Sequence, residues 1–435
     1  MSNIAHWLPR ASYSPTLIER VAGTGFLCLG AFPIIAERST TTLLPAVALT
    51  FLALARVETQ RLPLRPSMIA AVLWTALGYA ALSAAWALDP RDTLTHVGAA
   101  MIMFASAQIL TSWISLQNEE RLRFLAFWML VGFCIGMIYL FVEIISMQGI
   151  KRLLVHTSLM PEASNKIYEI DAQGNVSIMK FELNRNVAVA NLLLWPVLLS
   201  AHRLLKAPLG WVTGAAILAA VSAATFLSVH ETSKIALPLT LLVFGVAYLR
   251  PKLALWSTLA GFVALVCAVV PLSIYAYQSL QLEKSEMLQF SAQQRIQIWG
   301  SIANHVADAP ILGVGVRSTY AMNLEQQAAD KSNQSSPSIP PHAHNVYLQT
   351  WFELGAIGAL LLLISGLALL YFVSKLPAET LPFALGALTM GFFEVASSWD
   401  IWQRWFFALL AVSAVCLVLA SRLGPAVANE SGAQR

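Results

Sequence analysis

The feature that most constrains this chain is a succession of apolar runs, each close to the length of a membrane-crossing helix. Twelve occur, at roughly 17–36, 41–56, 68–87, 93–116, 122–147, 186–201, 209–229, 233–249, 253–278, 345–373, 379–397 and 403–421. A helix needs about 20 mostly apolar residues to cross the hydrocarbon of a bilayer. With 57% of residues hydrophobic and 11% charged, too few charges remain to cover the surface of a soluble fold. The expected fold class is an all-α polytopic membrane protein with about 12 transmembrane helices.

The short connections alternate in basic charge. With the N-terminus in the cytoplasm, the inner loops carry Arg56, Arg61 and Arg65; Arg121 and Arg123; Arg203 and Lys206; Arg250 and Lys252; and Lys375. The short outer loops carry only Arg38, Arg91, Lys234 and Arg404. This bias places both termini inside. The polar start, with Arg10 and then Glu19 and Arg20 around the first run, reads as a retained anchor rather than a cleaved signal. The chain then divides into helices one to five (1–147), a first outer loop (148–185), helices six to nine (186–278), a large outer loop between helices nine and ten (279–344), and the last three helices with a cytoplasmic tail (345–435). Long loops gathered on one face are where function is usually placed.

Several classes fall away. A net charge of +4 without basic runs interleaved with aromatics argues against nucleic acid. Cys28, Cys134, Cys267 and Cys416 lie far apart inside apolar runs and read as small buried apolar residues, with no metal or redox site. There is no Gly-x-x-x-x-Gly-Lys loop for a nucleotide. No Asp-x-Asp pair near the outer loops would hold a divalent metal for a sugar nucleotide. No cofactor is expected.

Ionisable groups near the membrane are the candidates that remain. His344 sits where the proline-rich stretch SIPPHAHNVYLQTWFELGAIG turns from loop to helix, two residues after His342 and just before Asn345. An unperturbed pKa near 6.5 suits such a ring to proton transfer; the bland alternative is a histidine that only bonds a loop carbonyl. Arg185 opens helix six in FELNRNVAVANLLLWP, where Asn184 or Asn186 can cap the helix start and the arginine can hold an anion; otherwise it simply snorkels. The pattern Ile296, Ile298, Trp299, Ile302 and Val306 predicts an amphipathic helix from about Ser291 to Asp308, lying near the outer boundary. Arg295 and Trp299 share a face of that helix and suit a phosphate or a sugar ring; a solvated surface is the alternative. Arg317, after the Gly313–Val314–Gly315 turn, is a further candidate. His230, Glu231 and Lys234 crowd a short turn as a salt-bridged connector or an anion site. Glu353, Glu394 and Asp400 lie near the last helices, where Trp399, Trp402 and Trp405 read as an interfacial belt. From Gln326 to Ser338 the loop is polar. Cations and a histidine on one outer face suggest an activated, lipid-linked phosphate or diphosphate donor used without nucleotide.

These residues resemble the O-antigen ligase and O-antigen polymerase superfamily of bacterial envelopes. The resemblance rests on HAHNVYLQTWFELGAIG (342–358), with its His-Asn, Leu and Glu-x-Gly-x-x-Gly spacing. It rests also on Arg295-x-x-x-Trp299 followed by HVADAPILGVGV, on NRNVAVANLLLWP, and on HETSKIALPL, where Lys234 stands in the place of the family's arginine. The C-terminal half carries it; the first five helices match only in hydrophobicity. It implies residence in the bacterial inner membrane with the outer loops periplasmic. It implies an undecaprenyl-diphosphate-linked glycan donor and a lipid A–core acceptor, with Arg185 and Arg295 on the diphosphate. His344 would be the general base of an inverting, metal-independent transfer, oriented by His342 or Glu353. A polymerase that extends a lipid-linked glycan shares the same motifs. A small-anion transporter would instead gather its ionisable groups near the bilayer midplane.

Overall fold

A computed structural model describes residues 16–59, 67–157, 167–171, 175–330 and 342–425. Fifteen α-helices run through the described residues: α1 Leu17–Ile35, α2 Thr40–Thr59, α3 Met68–Leu82, α4 Pro90–Ile114, α5 Glu119–Ile145, α6 Gly149–His156, α7 Asn184–Leu204, α8 Leu209–Leu227, α9 Glu231–Leu249, α10 Pro251–Ile274, α11 Phe290–His305, α12 Ser318–Asp330, α13 Val346–Val373, α14 Leu381–Ser397 and α15 Arg404–Ser421. Eleven helical stretches are long and apolar enough to cross a membrane, and α14, at 17 residues, is a shorter apolar one. All twelve expected spans are therefore present as helices, and the chain is a multi-pass membrane protein.

Local chemistry sets the helix starts. Thr16 and Glu19 form a reciprocal capping box on α1, so two of its orphan amides are satisfied. Asn118 caps α5 through the amide of Arg121 at 2.9 Å. At α7 the expected cap does not form. The helix begins on Asn184 itself without a side-chain cap, because the Asn186 amide is drawn across to the Ile34 carbonyl at 2.6 Å.

The helices group into two compact units. The first comprises Met1–Leu64, Ser106–Leu242 and Leu409–Arg435. There α1 lies along α5, close enough that a methyl group on Gly30 or Gly132 would strike the facing backbone. Small residues permit such an approach where apolar packing must replace the hydrophobic drive. Helix α7 is sheathed, with almost every side chain from Asn186 to Ala201 buried. The segment between α5 and α7 is more structured than its polarity suggests: α6 is followed by an antiparallel hairpin, β1 Tyr168–Ile170 and β2 Val176–Ile178.

The second unit comprises Arg65–Ala105 and Val243–Ala408. Its core joins Leu77 and Ala80 of α3, Val97 and Ala100 of α4, Val316, Leu354 of α13 and Trp402. The amphipathic helix forms nearly as expected, as α11 followed by a 3₁₀ turn at Val306–Asp308. It buries Ile296, Ile302 and Val306. Helix α12 was not expected, since its sequence carries little apolar periodicity. It takes in part of the polar stretch from Gln326, and residues 331–341 lie outside the described ones.

The cysteines and tryptophans differ from expectation. Cys134 and Cys267 are exposed, because they face outward on helices whose outward side is apolar in a membrane protein. Trp402 and Trp405 are buried and so are not an interfacial belt; their indole N–H groups serve internal acceptors, Glu353 and Gln403.

Candidate active site at the head of a broken helix

Helix α13 is not continuous. Gly355 adopts φ 62° and ψ −162° and interrupts it nine residues after its start. A break in a membrane-spanning helix strands backbone groups, for which the protein must supply partners. The segment Pro310–Gly315 does so. Val314 and Gly315 amides donate to the carbonyls of Phe352 and Glu353 at 3.1 and 2.8 Å. In return, the amides of Ala356 and Ile357 donate to the carbonyls of Pro310 and Ile311 at 2.9 and 3.3 Å. The Tyr79 hydroxyl donates to the freed carbonyl of Leu354 at 3.2 Å. Glycine is needed at both faces of this joint. Gly313 (φ 71°) and Gly355 lie in the left-handed region, and a methyl group on either would meet backbone of the other segment. The Glu-x-Gly-x-x-Gly stretch at 353–358 and the PILGVG stretch at 310–315 are thus two halves of one structure.

Immediately after this segment stands Arg317, also left-handed at φ 67°. Its Nε donates to Asp92 and its Nη1 to Asp400, each at 2.9 Å. Its guanidinium also lies 4.3 Å from the centroid of the Tyr320 ring. The other Asp400 oxygen accepts from the Gln349 side chain and the Trp402 amide, both at 2.9 Å. Burial draws the guanidinium's pKa down, but the two aspartates outweigh it and hold Arg317 above its ordinary value. Glu353 takes the Thr319 hydroxyl at 2.7 Å and the Trp402 indole N–H at 2.9 Å. Each of its oxygens thus accepts one hydrogen bond.

The two histidines hang on this frame. His344 is held at φ 52°, a strained position for a residue with a Cβ. Its Nδ1 lies 2.7 Å from the Ser398 carbonyl. A carbonyl can only accept, so Nδ1 carries the proton and Nε2 of the neutral ring keeps its lone pair. The Ser398 hydroxyl in turn donates to Glu394 at 2.9 Å. The His342 ring lies 3.9 Å from that of His344, centroid to centroid. Between them the Ala343 carbonyl accepts from the Trp299 indole at 2.9 Å, which ties the pair to α11. Asn345 caps α13 through the Leu348 amide at 3.1 Å; its role is to start the helix. Burial, with the charge of Arg317 added, lowers the pKa of His342 to about 4. Burial, His342 and the charge of Arg295 lower that of His344 to about 4, against the pull of Ser398 and Asp400. Both rings are neutral at pH 7.

The second unit therefore brings together His342, His344, Asn345, Arg317, Glu353 and Trp299, with Arg295 near enough for its charge to act on His344. Sequence reasoning missed Asp92, Thr319, Gln349 and the Ser398 carbonyl, and gave Asp400 no partner. A buried aspartate amid apolar neighbours was the one available signal. Arg185 and Lys234 belong to the first unit. Arg185 pairs with Glu37 at 3.2 Å and Glu182 at 3.5 Å. Lys234 pairs with Glu231 at 2.9 Å, as a salt-bridged connector would.

Fold and site together define a multi-pass membrane protein with a neutral histidine pair at the mouth of an interrupted helix. The O-antigen ligase family profile matches residues 214–363, a stretch that includes Lys234, Arg295, Arg317, both histidines and Glu353. A Rickettsia conorii protein, provisionally named a polysaccharide ligase, is 32% identical over 126 residues, 28% of this chain and 31% of that one. Similarly named proteins of Rickettsia typhi and Rickettsia bellii are 29% identical over 118 residues and 28% over 120; each alignment covers 27% of this chain and 29% of the relative. The chain spans under a third of the length of these relatives. The matches make the chain similar to the O-antigen ligase family over residues 214–363.

Proposed function

We propose that the protein is a glycosyltransferase that moves a glycan from undecaprenyl diphosphate onto lipid A–core oligosaccharide at the periplasmic face of the bacterial inner membrane. The observation that carries this reading is the His344 tautomer: Nδ1–H is fixed on a carbonyl, leaving Nε2 as a base beside a cationic arginine. An acceptor sugar hydroxyl attacks the donor's anomeric carbon as Nε2 takes its proton. The bond from that carbon to the diphosphate oxygen breaks, and the electron pair leaves with undecaprenyl diphosphate. A single displacement inverts the anomeric centre. Arg295 stabilises charge on the departing diphosphate. Bringing that anion beside His344 also raises the ring's low pKa toward the range where a base works best. Arg185 is proposed as a separate anion contact of the first unit, released from Glu37 and Glu182 when it engages.

The test is acceptor choice by the purified wild-type protein, given lipid-diphosphate glycan with EDTA present. Glycan appearing on lipid A–core supports the ligase. Lengthening of the lipid-linked glycan with lipid A–core untouched would assign a polymerase instead.

A further inference from the structure

His344 is held against its own backbone preference. It is left-handed at φ 52°, a region that a residue with a Cβ keeps only when its surroundings hold it there. Both of its chain neighbours are fixed. On the C-terminal side Asn345 caps α13: its side chain accepts the Leu348 amide at 3.1 Å, and its carbonyl accepts the Gln349 amide at 2.9 Å. On the N-terminal side stands the planar peptide that joins Ala343 to His344. The orientation of that plane about the His344 N–Cα bond is the φ of His344. The oxygen of the plane is the Ala343 carbonyl, which accepts the Trp299 indole N–H at 2.9 Å. Ala343 is 0% exposed, so water cannot take the place of the indole as donor.

Trp299 stands on a helix that is itself seated. Helix α11 buries Ile296, Gly300, Ile302 and Ala303. A methyl group on Gly300, the residue after Trp299, would strike the Tyr277 side chain. The helix therefore lies directly against the π-helical turn Tyr275–Ser279 that follows α10. Arg295 is one turn before Trp299 on the same face, and its charge reaches His344. One seated helix thus carries both the cation assigned to the departing diphosphate and the donor that fixes the peptide before the histidine.

We propose, on the reading of His344 as the base of the transfer, that Trp299 is its positioning residue. The indole N–H holds the Ala343–His344 peptide, keeps His344 left-handed with Nδ1 on the Ser398 carbonyl, and so couples the base to the helix that bears Arg295. Without that N–H the buried carbonyl has lost its donor, and the plane rotates toward the ordinary backbone region. Nδ1 then leaves Ser398, the proton is shared between the two ring nitrogens, and the base loses both its tautomer and its aim.

The test compares full-length Trp299→Phe and Trp299→His with wild type in detergent. A phenylalanine side chain keeps an aromatic body without a donor. A histidine side chain carries Nε2 as far from Cγ in the ring as the indole carries Nε1, so it can restore the N–H. Consumption of lipid-diphosphate glycan is followed whichever acceptor takes the sugar, so a polymerase outcome leaves this comparison intact. Trp299→Phe should lower kcat about 10–100-fold and leave the donor KM within about twofold of wild type; Trp299→His should recover most of the loss. Nitrogen-15 spectra of histidine-labelled protein at pH 7 read the tautomer without turnover, with the His344 signals assigned by their absence in His344→Gln. They should place the proton on Nδ1 in wild type and Trp299→His, and on both nitrogens in exchange in Trp299→Phe. An unchanged Nδ1–H tautomer in Trp299→Phe would overturn the proposal. So would a raised donor KM at unchanged kcat, which would make the indole a platform for the sugar. If wild type transfers nothing, the glycosyltransferase reading falls, and the spectra alone decide whether Trp299 holds His344.

Discussion

Each unit holds an arginine between two carboxylates, and the two arrangements are unlike. In the first unit Arg185 meets Glu37 and Glu182, and the surplus negative charge is met by Lys151. In the second, Arg317 meets Asp92 and Asp400, and what surrounds it is a helix break and two neutral histidines. The first cluster pins a surface element onto a sheathed helix. The second leaves a lone pair at Nε2 of a strained ring with no partner among the described residues, the condition for proton transfer. Arginine pairing alone is therefore not a sign of chemistry; a fixed tautomer beside it is.

The two clusters differ most at Arg317. Removing it leaves Asp400, 1% exposed at its side chain, as an uncompensated buried charge, a loss of about 3–5 kcal/mol. Arg317→Ala should lower the unfolding midpoint far more than Arg185→Ala, because the Arg185 side chain is 20% exposed. Equal losses in thermal scans would mean that the two clusters are equivalent. Gly355→Ala comes next. A Cβ in the left-handed region, set against the Ile311 backbone, should cost about 2–4 kcal/mol and should be seen as early proteolysis near the joint. Gly78, with open space around it, is the control.

The histidines sharpen the contrast through pH. Their folded pKa values, about 4, lie below the ordinary 6.5, so the unfolded chain binds protons that the folded chain refuses. Their stabilising share is complete above pH 6.5 and is lost as pH falls toward 4, up to about 3 kcal/mol for each ring. The His342→Gln/His344→Gln double variant should show a smaller fall in melting temperature between pH 6.5 and 4 than wild type. An equal fall would mean that the rings are not held neutral. The smallest effect belongs to Lys234→Ala. Its i,i+3 pair with Glu231 is partly exposed and contributes about 0–1 kcal/mol, so its melting point should barely move.

All twelve spans were legible, because hydropathy over 20 residues reports the solvent a segment needs. Helix α11 was legible from its apolar period, and His344 from its place at a helix mouth. The break at Gly355 was not. A glycine in an apolar helix is tolerated, and what opens the helix here is a second segment about forty residues earlier that supplies matching backbone groups. Asp92, and the partner of Asp400, escaped for a related reason: each aspartate reads as a loop-edge carboxylate until Arg317 joins them. Lys151 is turned inward by Glu143 and Glu182, which a local pattern cannot reach. Asn186 looked like a cap because only contact with Ile34 reveals its other partner.

In the proposed reaction His344 takes the acceptor's proton. The most direct test is single-turnover transfer from lipid-diphosphate glycan by purified wild type and His344→Ala, with donor binding measured separately. The account predicts unchanged donor affinity and a transfer rate lower by about 10²–10⁴-fold. A variant that folds, binds donor and transfers at the wild-type rate would contradict it.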